Sequence, residues 1–219
     1  MRGMGVFAVA LAATLVAGCN KENAARNDST VGTAGRVDGN VRDADRAFVK
    51  DAAIANMAEI ELSRSALDRS PSADVKKFAQ MMVDDHPAAA DKLKALATQH
   101  NLEVPAELDD KHRDLREKLA AKQGLDFDKD YAEAMVEGHQ AFTDKLEARI
   151  DRDTLSKWKE TFVGKNTAEV KAVAIAAEKS DNPITFALNQ WAAETYPVAY
   201  AHLEAAKAMR DGVKKRSTD

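Results

Sequence analysis

The chain has 219 residues, of which 45% are hydrophobic, 5% aromatic and 31% charged, with 32 Lys and Arg against 36 Asp and Glu. A net charge of −4, few aromatics and no basic stripe argue against nucleic acid as a partner. One cysteine, Cys19, excludes an internal disulfide.

The first residues have the three parts of an export signal. Arg2 and the free amine are positive, Val6 to Val16 is apolar and uncharged, and small residues follow. That run is too short for a bilayer core, which needs about 20 residues. Val16-Ala17-Gly18-Cys19 resembles the lipobox of lipoprotein signal peptidase, with Val16 where Leu is commoner. Residues 1–18 are therefore expected to be a lipoprotein signal peptide and Cys19 the lipid-carrying residue; the other reading is an ordinary signal with a stray thiol. Acyl chains at roughly 0.8 kcal/mol per buried methylene would make the membrane, through the lipid anchor, the one partner that can be named. Asn20 stands where an Asp would favour inner-membrane retention in enteric bacteria, so the expected location is the outer membrane, with the domain facing the periplasm. Cleavage would remove Arg2 and take the net charge from −4 to −5.

Residues 19–44 carry the lipidated Cys and a polar, small-residue linker, whose flexible coil would reach on the order of 28 Å. Residues 45–212 read as a helical domain, and 213–219 as a polar tail. Within the domain the pattern predicts helices over about 45–69 and 72–100, separated by Ser70-Pro71-Ser72. A loop at 101–105 leads to a short polar helix ending at Gly124. Asp126 or Asp128 can cap a third long helix to about 151. Short pieces follow at 153–163 and 166–179. Asp181-Asn182-Pro183 then opens the last helix, to about 211, with Pro at its first position. The expected class is all-α: a four-helix bundle of hairpins 45–100 and 127–211, with short accessory helices.

Phe78 to His86 matches Tyr131 to His139, and Asp91-Lys92-Leu93 matches Asp144-Lys145-Leu146, at an offset of 53. This suggests a duplicated helical hairpin. Each long helix also places one ionisable residue in its own apolar stripe: Glu59, His86, His139 and His202. Three helix-breaking residues sit near them: Pro87 after His86, Gly138 before His139, and Pro197 about one turn before His202. Interior Pro costs roughly 3 kcal/mol and interior Gly up to about 1, so these positions mark a site or a bent helix.

Two readings of the histidines stand side by side. Buried neutral imidazoles can be structural, donating to a carbonyl or carboxylate such as Glu59, or to Tyr131. Alternatively His86, His139, His202 and Glu59 form a metal site, for zinc or copper. Met82 and Met135, each four residues before a histidine, would extend it to a soft ion such as Cu(I), although Met is also a common core filler. No Gly-rich phosphate loop, serine elbow or Glu-x-x-His pair occurs, so no enzyme and no ferritin-type di-iron centre is expected.

The segments Phe48 to Leu62, Val75 to His86, Phe127 to His139 and Tyr196 to Ala206 resemble the bacterial family of the domain of unknown function 4142. The resemblance implies a ferritin-like four-helix bundle in an outer-membrane or periplasmic protein, with His86, His139 and His202 at positions where the family pattern has His. It implies no established activity. Pro87 departs from the pattern, and residues 151–180 are longer than in it. The leading expectation is a non-enzymatic envelope lipoprotein serving binding or stress protection. A periplasmic copper-like metal-binding protein is the alternative, and a redox enzyme with a metal centre the weakest.

Overall fold

In the computed structural model, which describes residues 41–162 and 175–217, helix ends follow local capping chemistry. Among the described residues there are six helices: α1 Asp43–Arg69, α2 Ala73–Gln99, α3 Asp110–Ala120, α4 Gly124–Glu147, α5 Arg152–Phe162 and α6 Pro183–Arg216. Ser72 caps α2 by accepting from the Val75 amide, and Asp109 caps α3 through the His112 amide. Asn182 accepts from the amides of both Ile184 and Thr185, with Pro183 in the first turn of α6. The chain is all-α as expected, and an isolated antiparallel bridge, Ile150 to Ala177, is the one β feature among the described residues. No described helix is long and apolar enough to cross a membrane.

Several expectations are corrected. Gly124 does not end the polar helix but opens α4, at a φ of +59° that favours glycine and turns the chain sharply out of α3. Asp126 and Asp128 therefore lie inside α4 and cap nothing. Asp128 is fully buried, accepting from the Ser70 hydroxyl at 2.5 Å and pairing with Arg216 at 3.4 Å. The piece expected at 166–179 falls partly outside the described residues, and its last residues, 175–179, are extended beside the Ile150 bridge. The last helix continues to Arg216, through the start of the expected polar tail, because Val213 is buried against the core.

The four long helices form a ring in the order α1, α2, α6, α4, with the α4–α6 and α1–α2 pairs sharing the most contact. Side-chain ties give their directions. At one end Asp45 near the start of α1 bonds Arg149 beyond α4 and Thr185 at the start of α6. At the other end Ser70 after α1 bonds Asp128 early in α4, which reaches Arg216 at the end of α6. Neighbours in the ring are thus antiparallel, and the connection from α2 to α4 is one long crossover that carries α3. The repeated segments fall on α2 and α4, which lie diagonally and parallel. The repeat therefore relates two single helices, and α3, not α6, occupies the position that a duplicated hairpin would assign to the partner.

The core is divided in two. One apolar cluster holds Phe48, Leu93, Leu146, Trp191 and Tyr196; the other holds Leu62, Phe78, Met82, Tyr131, Met135 and Leu203. Along every helix the residues between the two clusters are Glu59, His86, His139 and His202, so a polar layer crosses the bundle near mid-height.

Candidate metal centre

The polar layer lies inside the bundle. Glu59, His86, His139 and His202 are all buried, His139 completely. Glu59 and His86 differ by roughly one helical turn in height when counted from the hairpin turn, about 7 Å. Their side chains close the gap, with Glu59 Oε2 3.2 Å from His86 Nδ1. The other oxygen, Oε1, lies 3.3 Å from His139 Nδ1. The rings of His86 and His202 stack with centroids 5.3 Å apart, and His139 meets both edge-on at 5.8 and 5.7 Å.

Each imidazole has one nitrogen held by an oxygen. His86 Nδ1–H donates to Asn56 Oδ1 at 2.9 Å, His139 Nδ1–H to the Met135 carbonyl at 2.8 Å, and His202 Nε2–H to Asp85 Oδ2 at 2.9 Å. An imidazole whose Nδ1 carries the proton keeps, in its neutral form, a lone pair on Nε2. The Nε2 atoms of His86 and His139 are both buried without a hydrogen-bond partner. Burial pushes the His86 imidazole down to about 4, with His139 and His202 adding to that and Glu59 and Asp85 opposing it, so it is neutral at pH 7.

The three histidines offer ring nitrogens that all lie within 4.8 Å of one another. Around a tetrahedral ion with Zn–N bonds near 2.0–2.1 Å, such nitrogens sit about 3.4 Å apart. The set therefore needs only a small inward movement to converge. Oxygen acceptors behind ligating imidazoles set the tautomer and the ring orientation, which is what Asn56, the Met135 carbonyl and Asp85 do here. Glu59 approaches the Nδ1 side of His86 and His139, away from their Nε2 lone pairs. Its two oxygens pack against the Nδ1 edges of the two rings.

Gly138 has a physical reason. A Cβ there would stand 3.2 Å from Glu59 Oε1, tighter than an ordinary contact, so the glycine makes room for the carboxylate. Met82 and Met135 are buried in the apolar cluster on one side of the layer, and Met135 serves His139 through its carbonyl. Tyr131 pairs not with a histidine but with the Ser63 hydroxyl at 2.8 Å, and burial pushes its own hydroxyl's pKa up. Sequence reasoning missed Asn56 and Asp85. Asp85 precedes His86 directly and Asn56 lies three residues before Glu59, but neither falls in an apolar stripe.

On the other side of the layer is a cavity of about 180 Å³, lined by residues of α1, α2, α4 and α6. His86, His139 and His202 form its polar wall, and Leu93, Phe142 and Trp191 are among its apolar ones.

No curated protein and no solved structure gives a match to the chain. The family model of the domain of unknown function DUF4142 matches residues 32–156, more than half of the chain. That stretch contains Glu59, His86 and His139, while His202, which completes the cluster, lies beyond it. Described by no activity but shared over the helices that carry Glu59, His86 and His139, this is the family to which the chain belongs.

Proposed function

We propose that this protein is an envelope lipoprotein whose helical bundle is a non-enzymatic binding module, and that it holds one divalent transition-metal ion, Zn(II) or Cu(II), at His86, His139 and His202. The observation that carries the reading is the convergence of three buried imidazoles, each with one ring nitrogen anchored to an oxygen. Borderline imidazole ligands suit these ions. The Cu(I) version with Met82 and Met135 has less support, since both side chains belong to the apolar cluster. The single crossover between α2 and α4 supports the ferritin-like reading of the bundle. Calorimetric titration of the purified protein with zinc and with copper(II) tests the proposal. One ion should bind per chain, and His139→Ala should remove the binding. His100→Ala, at the C-cap of α2, should leave it intact. Heat signals equal in wild type and His139→Ala would overturn it.

Gly138→Ala separates the site from the fold. Alanine favours the helix by up to about 1 kcal/mol, which offsets the squeeze on Glu59, so the melting temperature should change little. Metal affinity should fall by roughly tenfold or more, as for other residues that orient metal ligands. Unchanged affinity would show that the position of Glu59 does not matter to the site.

The envelope location is supported by the apolar run from Val6 to Val16 and the lipobox ending at Cys19, which lie outside the described residues. Cys19→Ala should block cleavage by the lipoprotein peptidase and abolish labelling with palmitate in cells. Normal labelling of that variant would refute the anchor.

A further inference from the structure

We propose that Tyr196, Tyr200 and Trp158 form a radical trap, in which an organic peroxyl radical is quenched at Tyr200 while Tyr196 supplies the electron and passes its proton to Glu147. The trap is stoichiometric, one radical for each chain. It goes beyond the binding reading and does not rest on an ion at the histidines.

Three oxidisable rings meet where α5 packs against α6. Trp158 stands edge-on to Tyr196 and to Tyr200, with centroids 5.3 Å away in both cases, and the two tyrosine rings lie 5.9 Å apart. Tyr196 is fully buried, Trp158 nearly so, and Tyr200 only partly. An electron therefore travels from the interior toward the surface across one or two ring contacts.

What singles out Tyr196 is the acceptor of its hydroxyl. It donates to Glu147 Oε1 at 2.6 Å, within the reach of direct proton transfer. Lys159 Nζ lies 2.7 Å from the same oxygen, and 28% of the Glu147 side chain is exposed, so a proton received there can pass on to water. At rest the proton stays on the tyrosine. Burial, and after it the carboxylate itself, push the Tyr196 pKa up. Loss of an electron reverses the preference, because a tyrosine radical cation is a far stronger acid than a carboxylic acid. Tyr131 is the comparison within the same chain. It is as fully buried, but its hydroxyl pairs at 2.8 Å with that of Ser63, a neutral group that does not hold a second proton. Phenylalanine at position 196 would fill the same core, whereas coupled loss of an electron and a proton needs the hydroxyl and its ionised acceptor.

The peroxyl radical takes a hydrogen atom from the Tyr200 hydroxyl, forming the O–H bond of a hydroperoxide and leaving Tyr200 oxidised by one electron. Tyr196 then gives an electron to Tyr200, directly or through Trp158, as its own O–H bond breaks and the proton goes to Glu147. The Tyr200 oxygen regains a proton from water, and Glu147 releases one to it. The net change is one peroxyl radical reduced to a hydroperoxide and Tyr196 oxidised to a neutral tyrosyl radical.

Electron paramagnetic resonance on the full-length protein at pH 7, frozen after exposure to peroxyl radicals from a water-soluble azo initiator, tests the assignment. Wild type should give a neutral tyrosyl signal. Tyr196→Phe should lower it by roughly tenfold or more, and so should Glu147→Gln, which keeps a hydrogen-bond acceptor for Tyr196 but cannot take its proton. Tyr131→Phe should leave the signal as it is. Absence of a tyrosyl signal in wild type, a signal of equal size in Tyr196→Phe or Glu147→Gln, or its loss in Tyr131→Phe would overturn the inference. Zinc titration of the same protein keeps the two readings apart, since the metal proposal stands or falls on that titration alone and this one on the radical signal.

Discussion

Zinc or copper(II) held at a hundred times its dissociation constant should stabilise the folded protein by about 2.7 kcal/mol, because an ion bound only to the native state pulls the equilibrium by mass action. For a domain of this size that is a rise in melting temperature of about 5–11 °C. The ion acts at the weakest level of the core. The two apolar clusters are separated by a layer in which two imidazole nitrogens and one carboxylate oxygen lack hydrogen-bond partners. Unpaired buried polar atoms cost free energy, and an ion that takes the imidazole lone pairs removes part of that cost. His139→Ala should abolish the metal-dependent shift whatever it does to the starting melting temperature. The shift, not the absolute value, is therefore the measurement that separates ligation from packing. If differential scanning calorimetry gives the same curve with and without both ions, the histidines are structural and the binding proposal loses its ligand.

Much of this site is legible in the sequence because it obeys helical periodicity. Once each stripe is traced at spacings of three and four, Glu59, His86, His139 and His202 stand out as ionisable residues among apolar ones, and the structure brings all four together. Local capping chemistry is equally readable at Ser72 and Asn182. What periodicity cannot reach is chemistry that depends on a neighbour distant in sequence. Gly138 looks like a flexible point in a helix until Glu59, 79 residues earlier, is found against its missing Cβ. Asn56 and Asp85 lie at the margins of their stripes and gain meaning only from the rings they hold. Gly124 misled because a glycine after a helix usually ends it, whereas here its positive φ begins the next one. Asp45 was indistinguishable from an exposed acid in a first helical turn, a position that suits the helix dipole without any burial.

Asp45→Ala should destabilise the fold by about 3–5 kcal/mol, the usual consequence of removing one member of a buried ion pair. Its carboxylate is fully buried. Both terminal nitrogens of Arg149 lie 3.0 Å from Oδ1, while Thr185 Oγ1–H donates to Oδ2 at 2.6 Å and Arg42 reaches it at 3.2 Å. One side chain thus ties the start of α1 to the end of α4 and the start of α6. Removing it would leave Arg149, stacked 3.9 Å over the Phe48 ring, with only the Asn189 side chain and the Ala44 carbonyl among these acceptors. The pH dependence follows from the same contacts. Burial works against ionisation of Asp45, but the hydrogen bonds from Thr185, Arg42 and Arg149 outweigh it and hold the carboxyl below its ordinary range. A carboxyl depressed in the folded state contributes stability that is complete above the unfolded value of about 3.9 and is lost as pH falls through the folded one. The gap between wild type and Asp45→Ala in urea denaturation should therefore be constant from pH 5 to 8 and narrow only below about pH 4. A gap that closes near neutrality, or a variant as stable as wild type at pH 7, would mean that the three helix ends are held together by apolar contacts such as those of Phe48 and Trp191 and not by this carboxylate.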